Sequence, residues 1–335
     1  LRKNNEGEYN FFLRKSNNSL FYHSLKYKKF LEDILKNSSA KYFLLYENKK
    51  IVAALPFFLM RSSNGNILNS LPFYGSNGGI IYIKKLKPKY LIKLFSYLDE
   101  FIKKNKIIST LIIPNFLEKK NLIKHYFKHN FEDIRISQIT HLPKRKNYSL
   151  MDFIKSKSLK RNIKYKFNDF VPCIDNSLGA FKKIYELHKK QSIFKKRIYK
   201  KWNFFKLVRK NFKQKEDYNL YCIKTKDEII AGVLIFYYKN LAEYYLPVSD
   251  DNYDKYSLIQ KIIFKSMQDC IDKDYSIWNW GSTWINQNGV FEFKNKWNTS
   301  NNYFKYMIKT TIDKKDINKN KILNNYEYFY VVPFS

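Results

Sequence analysis

The period of apolar positions changes several times along the chain, and each change marks an element. Phe30, Leu31, Ile34 and Leu35 share one face of a short helix. Two apolar runs follow, at 42–46 and 51–60, separated by Glu47-Asn48-Lys49-Lys50, a polar break that reads as a hairpin turn. After the stretch 71–80 (LPFYGSNGGI) comes a strand at 80–83. Leu91, Leu94, Phe95, Leu98, Phe101 and Ile102 then recur at helical spacing. A strand at 109–113, a helix at 118–129 and a strand-like run at 134–142 complete a stretch in which helices and strands interleave, the signature of an α/β unit.

A basic connector at 143–147 marks a domain boundary. Beyond it, Ser149 with Asp152 three residues on predicts a capped helix running to about 167, and two further helices follow at 178–191 and 200–212. The pattern then switches to a three-stranded antiparallel meander at 218–224, 228–238 and 241–248, a helix at 257–271 and an aromatic strand at 276–280. That strand is expected to stop at Gly281-Ser282, leaving backbone groups free to floor a cleft. Trp278, Trp280, Phe291 and Phe293 read as core. Lys294 stands among them, and a cation in so aromatic a run must snorkel to solvent or meet an anion.

At 335 residues the chain can bury a core without disulfide or metal staples, and 44% hydrophobic with 18% aromatic residues excludes general disorder. The net charge of +34 would ordinarily point to a polyanion. Lys outnumbers Arg and is spread over the whole chain beside abundant Asn, Ile, Phe and Tyr, so base composition explains much of it. Cys173, Cys222 and Cys270 form no CxxC pair, which excludes a disulfide framework and a thiolate zinc site and fits a reducing compartment. His125 and His129 have i, i+4 spacing, but no Glu follows His125, so they read as a solvated helix face. The longest apolar run, 51–60, is ten residues and contains Pro56, too short to cross a bilayer.

The order of helices, meander, helix and strand resembles the N-acetyltransferase fold of the GNAT superfamily. Nearly the whole chain resembles its Fem-type (FemAB-like) members, which carry two such domains in tandem. The resemblance is carried by KKIVAALPFFLM followed by LPFYGSNGGI, by SLKRNIKYKF, by YELHKKQSIFKKRIYKKWNFFKLV, by the meander, and by WNWGS with GVFEFKNKWN, similar to the family's GS…G…FK..WG ending. It implies an α/β (α+β) fold of tandem GNAT-like domains, each a mixed, largely antiparallel sheet flanked by helices. The domains are expected at 1–145 and at 146–335, the second with a helical insert at about 149–212.

The resemblance implies a cytoplasmic acyl- or aminoacyltransferase that acylates an amine of a cell-envelope or surface-polysaccharide precursor. It implies no metal and no tightly bound cofactor, aminoacyl-tRNA or acyl-CoA as donor, tRNA as a partner and peripheral contact with the membrane. GNAT enzymes that use CoA bind its pyrophosphate on a Gly-rich loop before the helix after the meander. Here that loop reads Ser249-Asp250-Asp251-Asn252-Tyr253-Asp254-Lys255-Tyr256, three carboxylates and no glycine, which disfavours CoA. Arg161, Arg197 and Lys294 match basic positions of the family and are expected to bind substrate, with Tyr74 and Asn77 reaching a bound group from the first domain. Asp250 is expected either to accept the amine's proton or to cap the helix, and Ser282 to donate a hydrogen bond at the strand end. Two other functions fit the same residues: an acetyl-CoA-dependent N-acetyltransferase acting on a nucleotide sugar, and a non-catalytic RNA- or polysaccharide-binding module.

Overall fold

A computed structural model of the protein describes residues 5–73, 77–84, 86–118, 122–144, 149–226, 228–313, 322 and 325–332. Its chain divides into two units, residues 1–136 with 303–335, and residues 137–302.

The first unit contains α1 (Glu6–Lys15), α2 (Leu25–Ile34), β1 (Ser38–Glu47), β2 (Lys50–Met60), β3 (Asn66–Asn69), β4 (Ile81–Tyr82), α3 (Pro88–Lys104), β5 (Ile107–Ile112), α4 (Leu122–Tyr126) and the start of β6 (Phe131–His141). The apolar run 51–60 forms most of β2 and is buried on both faces. Leu55, Phe57 and Leu59 pack with Leu91, Phe95 and Leu98 of α3, whereas Ile51 and Ala54 pack with Tyr9, Phe12 and Leu13 of α1. A strand covered on both faces needs no polar alternation, hence its continuous hydrophobicity. Asn48 and Lys49 join β1 to β2, both in the left-handed region (φ 50° and 59°), as a two-residue hairpin turn that follows strand twist requires. Sheet order is β1-β2-β3-β5, with β3 and β5 parallel, and β4 also pairs with β2.

The last strand, Ser300–Thr310, returns to this first unit. Met307 to Thr310 pair antiparallel with Ile112 to Ser109, and Tyr306 and Ile308 join Leu111 and Ile113 in one apolar cluster. The linear division at residue 145 is therefore not the one the chain adopts. The composition changes at the connector 143–147, part of which lies outside the described residues, but strand exchange leaves no compositional mark.

The second unit begins within β6 at Ser137 and adds α5 (Leu150–Phe153), α6 (Lys157–Lys164), β7 (Cys173–Ile174), α7 (Leu178–Phe194), α8 (Trp202–Asn211), β8 (Tyr218–Lys224), β9 (Ile229–Tyr238), β10 (Leu241–Ser249), α9 (Leu258–Asp272), β11 (Ile277–Trp284) and α10 (Asn288–Asn295). Sheet order is β6-β11-β10-β9-β8-β7. The meander β8-β9-β10 is antiparallel, and β10 pairs with β11 in parallel. Ile262, Ile263 and Met267 of α9 pack with Val233, Ile235, Trp278, Trp280 and Trp297. The helix expected from 149 to 167 is broken in two, because the Ser156 side chain accepts the Leu159 N–H at 3.3 Å and starts α6 afresh. Among the described residues no helix is long and apolar enough to cross a membrane.

Lys49 is exposed in a conformation that costs an L-residue about 1–2 kcal/mol, whereas glycine adopts it freely. Lys49→Gly is expected to stabilise the first unit by about 0.5–1 kcal/mol, read as a higher urea midpoint.

Candidate active site

β10 and β11 share a ladder only from Leu241↔Ile277 to Glu243↔Asn279, although β10 runs on to Ser249 and β11 to Trp284. On its other side β10 changes register against β9 between Tyr244 and Leu246. A bulge on one side and a ladder that ends on the other turn the two strands away from each other. Tyr244 and Trp280 stand at that point with ring centroids 5.1 Å apart. The strand expected to stop at Gly281-Ser282 thus continues to Trp284; what stops is its pairing with β10.

The backbone beside the gap is held by side chains. Asn279 donates through Nδ2 to both carboxylate oxygens of Glu243 (2.9 and 2.8 Å), and its Oδ1 accepts the Gly281 N–H at 3.0 Å. Glu243 is 1% exposed, so its oxygens need hydrogen-bond donors within the fold. Gly281 has φ 71°, and no atom lies within 4 Å of where a Cβ would sit, so glycine is needed there for conformation and not for space.

A second polar chain crosses from α10 to β6. Lys294 Nζ donates to Thr283 Oγ1 at 2.8 Å, Thr283 Oγ1 donates to Gln138 Oε1 at 2.8 Å, and Gln138 Nε2 donates to the Phe291 carbonyl at 3.2 Å. Beside it, Trp280 Nε1 donates to Thr140 Oγ1, which donates to the Trp297 carbonyl, each at 2.9 Å. Lys294 is 6% exposed, and burial pulls its pKa down to about 8. It therefore neither snorkels out nor pairs with a carboxylate in this chain of bonds.

A cavity of about 190 Å³ lies between the far end of β10, the start of α9 and α10; Ser249, Tyr253, Asp254, Ser257, Gln260 and Phe293 are among its lining. The Asp250 carboxylate accepts the Asn252 N–H at 3.0 Å and caps the short 3-10 turn Asp251–Tyr256. Asp251 and Asp254 are exposed. Lys261 Nζ donates to the Tyr256 and Asn162 carbonyls, the latter at 3.3 Å, and so is turned onto the backbone at the start of α9.

Of the residues singled out in the sequence, Lys294, Ser282 and Asp250 lie in the second unit, Ser282 half-buried on β11 one residue beyond Gly281. Arg161 on α6 and Arg197 after α7 are exposed, and among the described residues no hydrogen bond links either to the Lys294 chain. Asn77 belongs to the first unit, is 3% exposed and leaves its Oδ1 without a hydrogen-bond partner among the described residues. Next to it, a Cβ on Gly79 would sit 2.8 Å from the Asn115 nitrogen, so this glycine allows close backbone approach. Tyr74 lies outside the described residues. Glu243, Asn279, Thr283, Gln138 and Thr140 were not anticipated; Glu243 and Asn279 were visible as polar residues inside otherwise apolar strand runs.

Residues 170–294 match the family model described as the acetyltransferase (GNAT) domain. No curated protein matches the chain. Among solved structures the chain is similar to FemX, at 12% identity over 90% of this chain and 96% of that one, with a TM-score of 0.69. It is similar to L-PGS from Bacillus licheniformis, at 12% identity over 96% of both chains and a TM-score of 0.56. It is also similar to a tandem GNAT protein from the clavulanic acid biosynthesis pathway, at 6% identity over 83% of this chain and 84% of that one, with a TM-score of 0.50. At these identities the likeness is one of fold.

Asn279→Leu removes the amide that donates to both oxygens of the buried Glu243 carboxyl and the acceptor of the Gly281 N–H. It is expected to destabilise the second unit by about 3 kcal/mol in chemical denaturation.

Proposed function

From the premise that residues 170–294 are a GNAT acyltransferase domain, we propose that the chain transfers an aminoacyl group from an activated ester to an amine of a cell-envelope or surface-polysaccharide precursor. The observation that carries this is the β10–β11 ladder that ends after three pairs, with the buried ammonium of Lys294 held from β11 by Thr283. The acceptor is the class that the Fem-type resemblance implies.

The free amine attacks the ester carbonyl, the carbon–nitrogen bond forms, and the negative charge passes to the carbonyl oxygen. Collapse of that intermediate breaks the carbon–oxygen bond, and the proton lost by the amine ends on the leaving oxygen. Backbone N–H groups freed where the ladder stops are suited to the oxyanion. Lys294 is assigned to the anionic part of the donor or to that oxyanion; with its pKa near 8 it is mainly protonated at neutral pH. Thr283 and Gln138 are positioning residues, since they fix the ammonium in one rotamer.

The donor reading rests on the start of α9. A CoA pyrophosphate would meet Asp254 at the cavity and Asp251 beside it, while the nearby Lys261 ammonium is committed to backbone carbonyls. Like charges at a helix start oppose phosphate binding. This favours an aminoacyl ester such as charged tRNA over acyl-CoA.

Calorimetric titration with acetyl-CoA is expected to give no heat at about 1 mM ligand, and incubation with charged tRNA and an amine acceptor is expected to give an amide product by mass spectrometry. Saturable binding of acetyl-CoA at roughly micromolar concentration would overturn the donor assignment.

Lys294→Met is expected to lower kcat/KM by about 100- to 1000-fold. Because burial lowers the ammonium's pKa from 10.5 to about 8, the charged form costs the fold about 3 kcal/mol below pH 8, a cost that vanishes as pH rises to 10.5. The variant should therefore unfold no earlier than the parent at pH 7, while wild-type turnover falls above about pH 8 as the ammonium deprotonates.

A further inference from the structure

The end of α7 carries side chains that its own unit does not use. Phe194 is 78% exposed, Ile198 61% and Ile193 58%, three large apolar groups within six residues. They flank Lys195, Lys196 and Arg197, all exposed. Residues 187–215 contain twelve Lys and Arg and not one Asp or Glu, so the chain's diffuse positive charge becomes locally unopposed here.

The backbone that presents these groups is fixed. Lys196 takes the left-handed conformation (φ 50°) and donates to the Ile193 carbonyl at 3.0 Å, while Arg197 N–H donates to the Ser192 carbonyl at 2.8 Å. Together these bonds close a helix C-terminus of the Schellman type. On the far side the Lys200 N–H donates to His188 Nε2 at 3.0 Å, and Trp202 stacks on Phe205 with Tyr185 against both. Loose loops often expose apolar groups; a turn tied at both ends that does so presents a surface to something.

We propose that this tip, Ile193 to Ile198, docks the protein on the surface of an anionic phospholipid bilayer. Phe194, Ile193 and Ile198 enter the boundary between headgroups and acyl chains, and Lys195, Lys196 and Arg197 lie at headgroup level against the phosphates. A bilayer is favoured over RNA because RNA offers phosphates to the cations and a stacking face to Phe194 but nothing to the two exposed isoleucines, whereas acyl chains accept all three apolar groups. The docking is independent of the transfer reaction, since it needs no donor.

The test is sedimentation of the full chain with vesicles of phosphatidylcholine and phosphatidylglycerol (about 3:1) and with pure phosphatidylcholine vesicles. The chain is expected to sediment with the mixed vesicles and weakly or not at all with the neutral ones. Phe194→Ser combined with Ile198→Ser is expected to weaken binding at least about tenfold, and Lys195→Gln with Lys196→Gln about five- to thirtyfold. All four positions are exposed, so the circular dichroism spectra and melting curves of both variants should match the parent and exclude misfolding. The proposal is overturned if the parent ignores mixed vesicles, or if the Phe194→Ser, Ile198→Ser variant binds them as the parent does. It is equally overturned if uncharged tRNA strips the parent from the vesicles and binds parent and apolar variant alike, which would make the tip an RNA surface.

Discussion

Two neighbouring parallel strands that stop pairing after three residues each keep a run of backbone donors and acceptors that the sheet no longer satisfies, and the second unit is arranged around that deficit. The bulge in β10 at Tyr244 turns the strand from its neighbour. Asn279 takes up one of the released groups, the Gly281 N–H, and itself donates to both oxygens of a carboxyl buried in the core. Backbone left over in such a place is either filled by water or offered to a substrate carbonyl and amine, which have the same hydrogen-bonding pattern as the missing strand.

The same region buries a carboxyl and an ammonium by different means. Glu243 is made tolerable by an amide that donates to both of its oxygens. Lys294 receives only a hydroxyl in the described chain of bonds and stays under-compensated, which is why its pKa falls. An under-compensated cation is a poor stabiliser and a good ligand for an incoming anion, since the anion supplies what the fold withholds.

Much of the fold was legible because it rests on local rules. The meander, the helix after it, the hairpin at Asn48-Lys49 and the amphipathic α3 all follow from period, turn chemistry and charge pattern. The break before Ser156 was missed because a serine inside a periodic run looks helical until its side chain is seen to cap. The site was legible only where one residue was anomalous by itself, as Lys294 is among aromatics. Gln138, Thr140 and Thr283 are ordinary strand residues, and only the sheet brings them to α10. Asp250 illustrates the converse: a carboxylate before a helix suits catalysis and capping equally in sequence, and its bond to Asn252 is the capping one.

The return of the last strand to β5 has a consequence for the order in which the protein is made. Residues 137–302 are one uninterrupted stretch, so the second unit has all its own strands once residue 302 has left the ribosome. The first unit, although synthesised first, lacks the strand that covers β5 until residues 303–310 appear. For that interval the β5 edge carries unpaired N–H and C=O groups, the feature that recruits foreign strands. The unit begun earliest is thus completed last, and losing residues 303–310 would injure a unit whose other strands were made long before them.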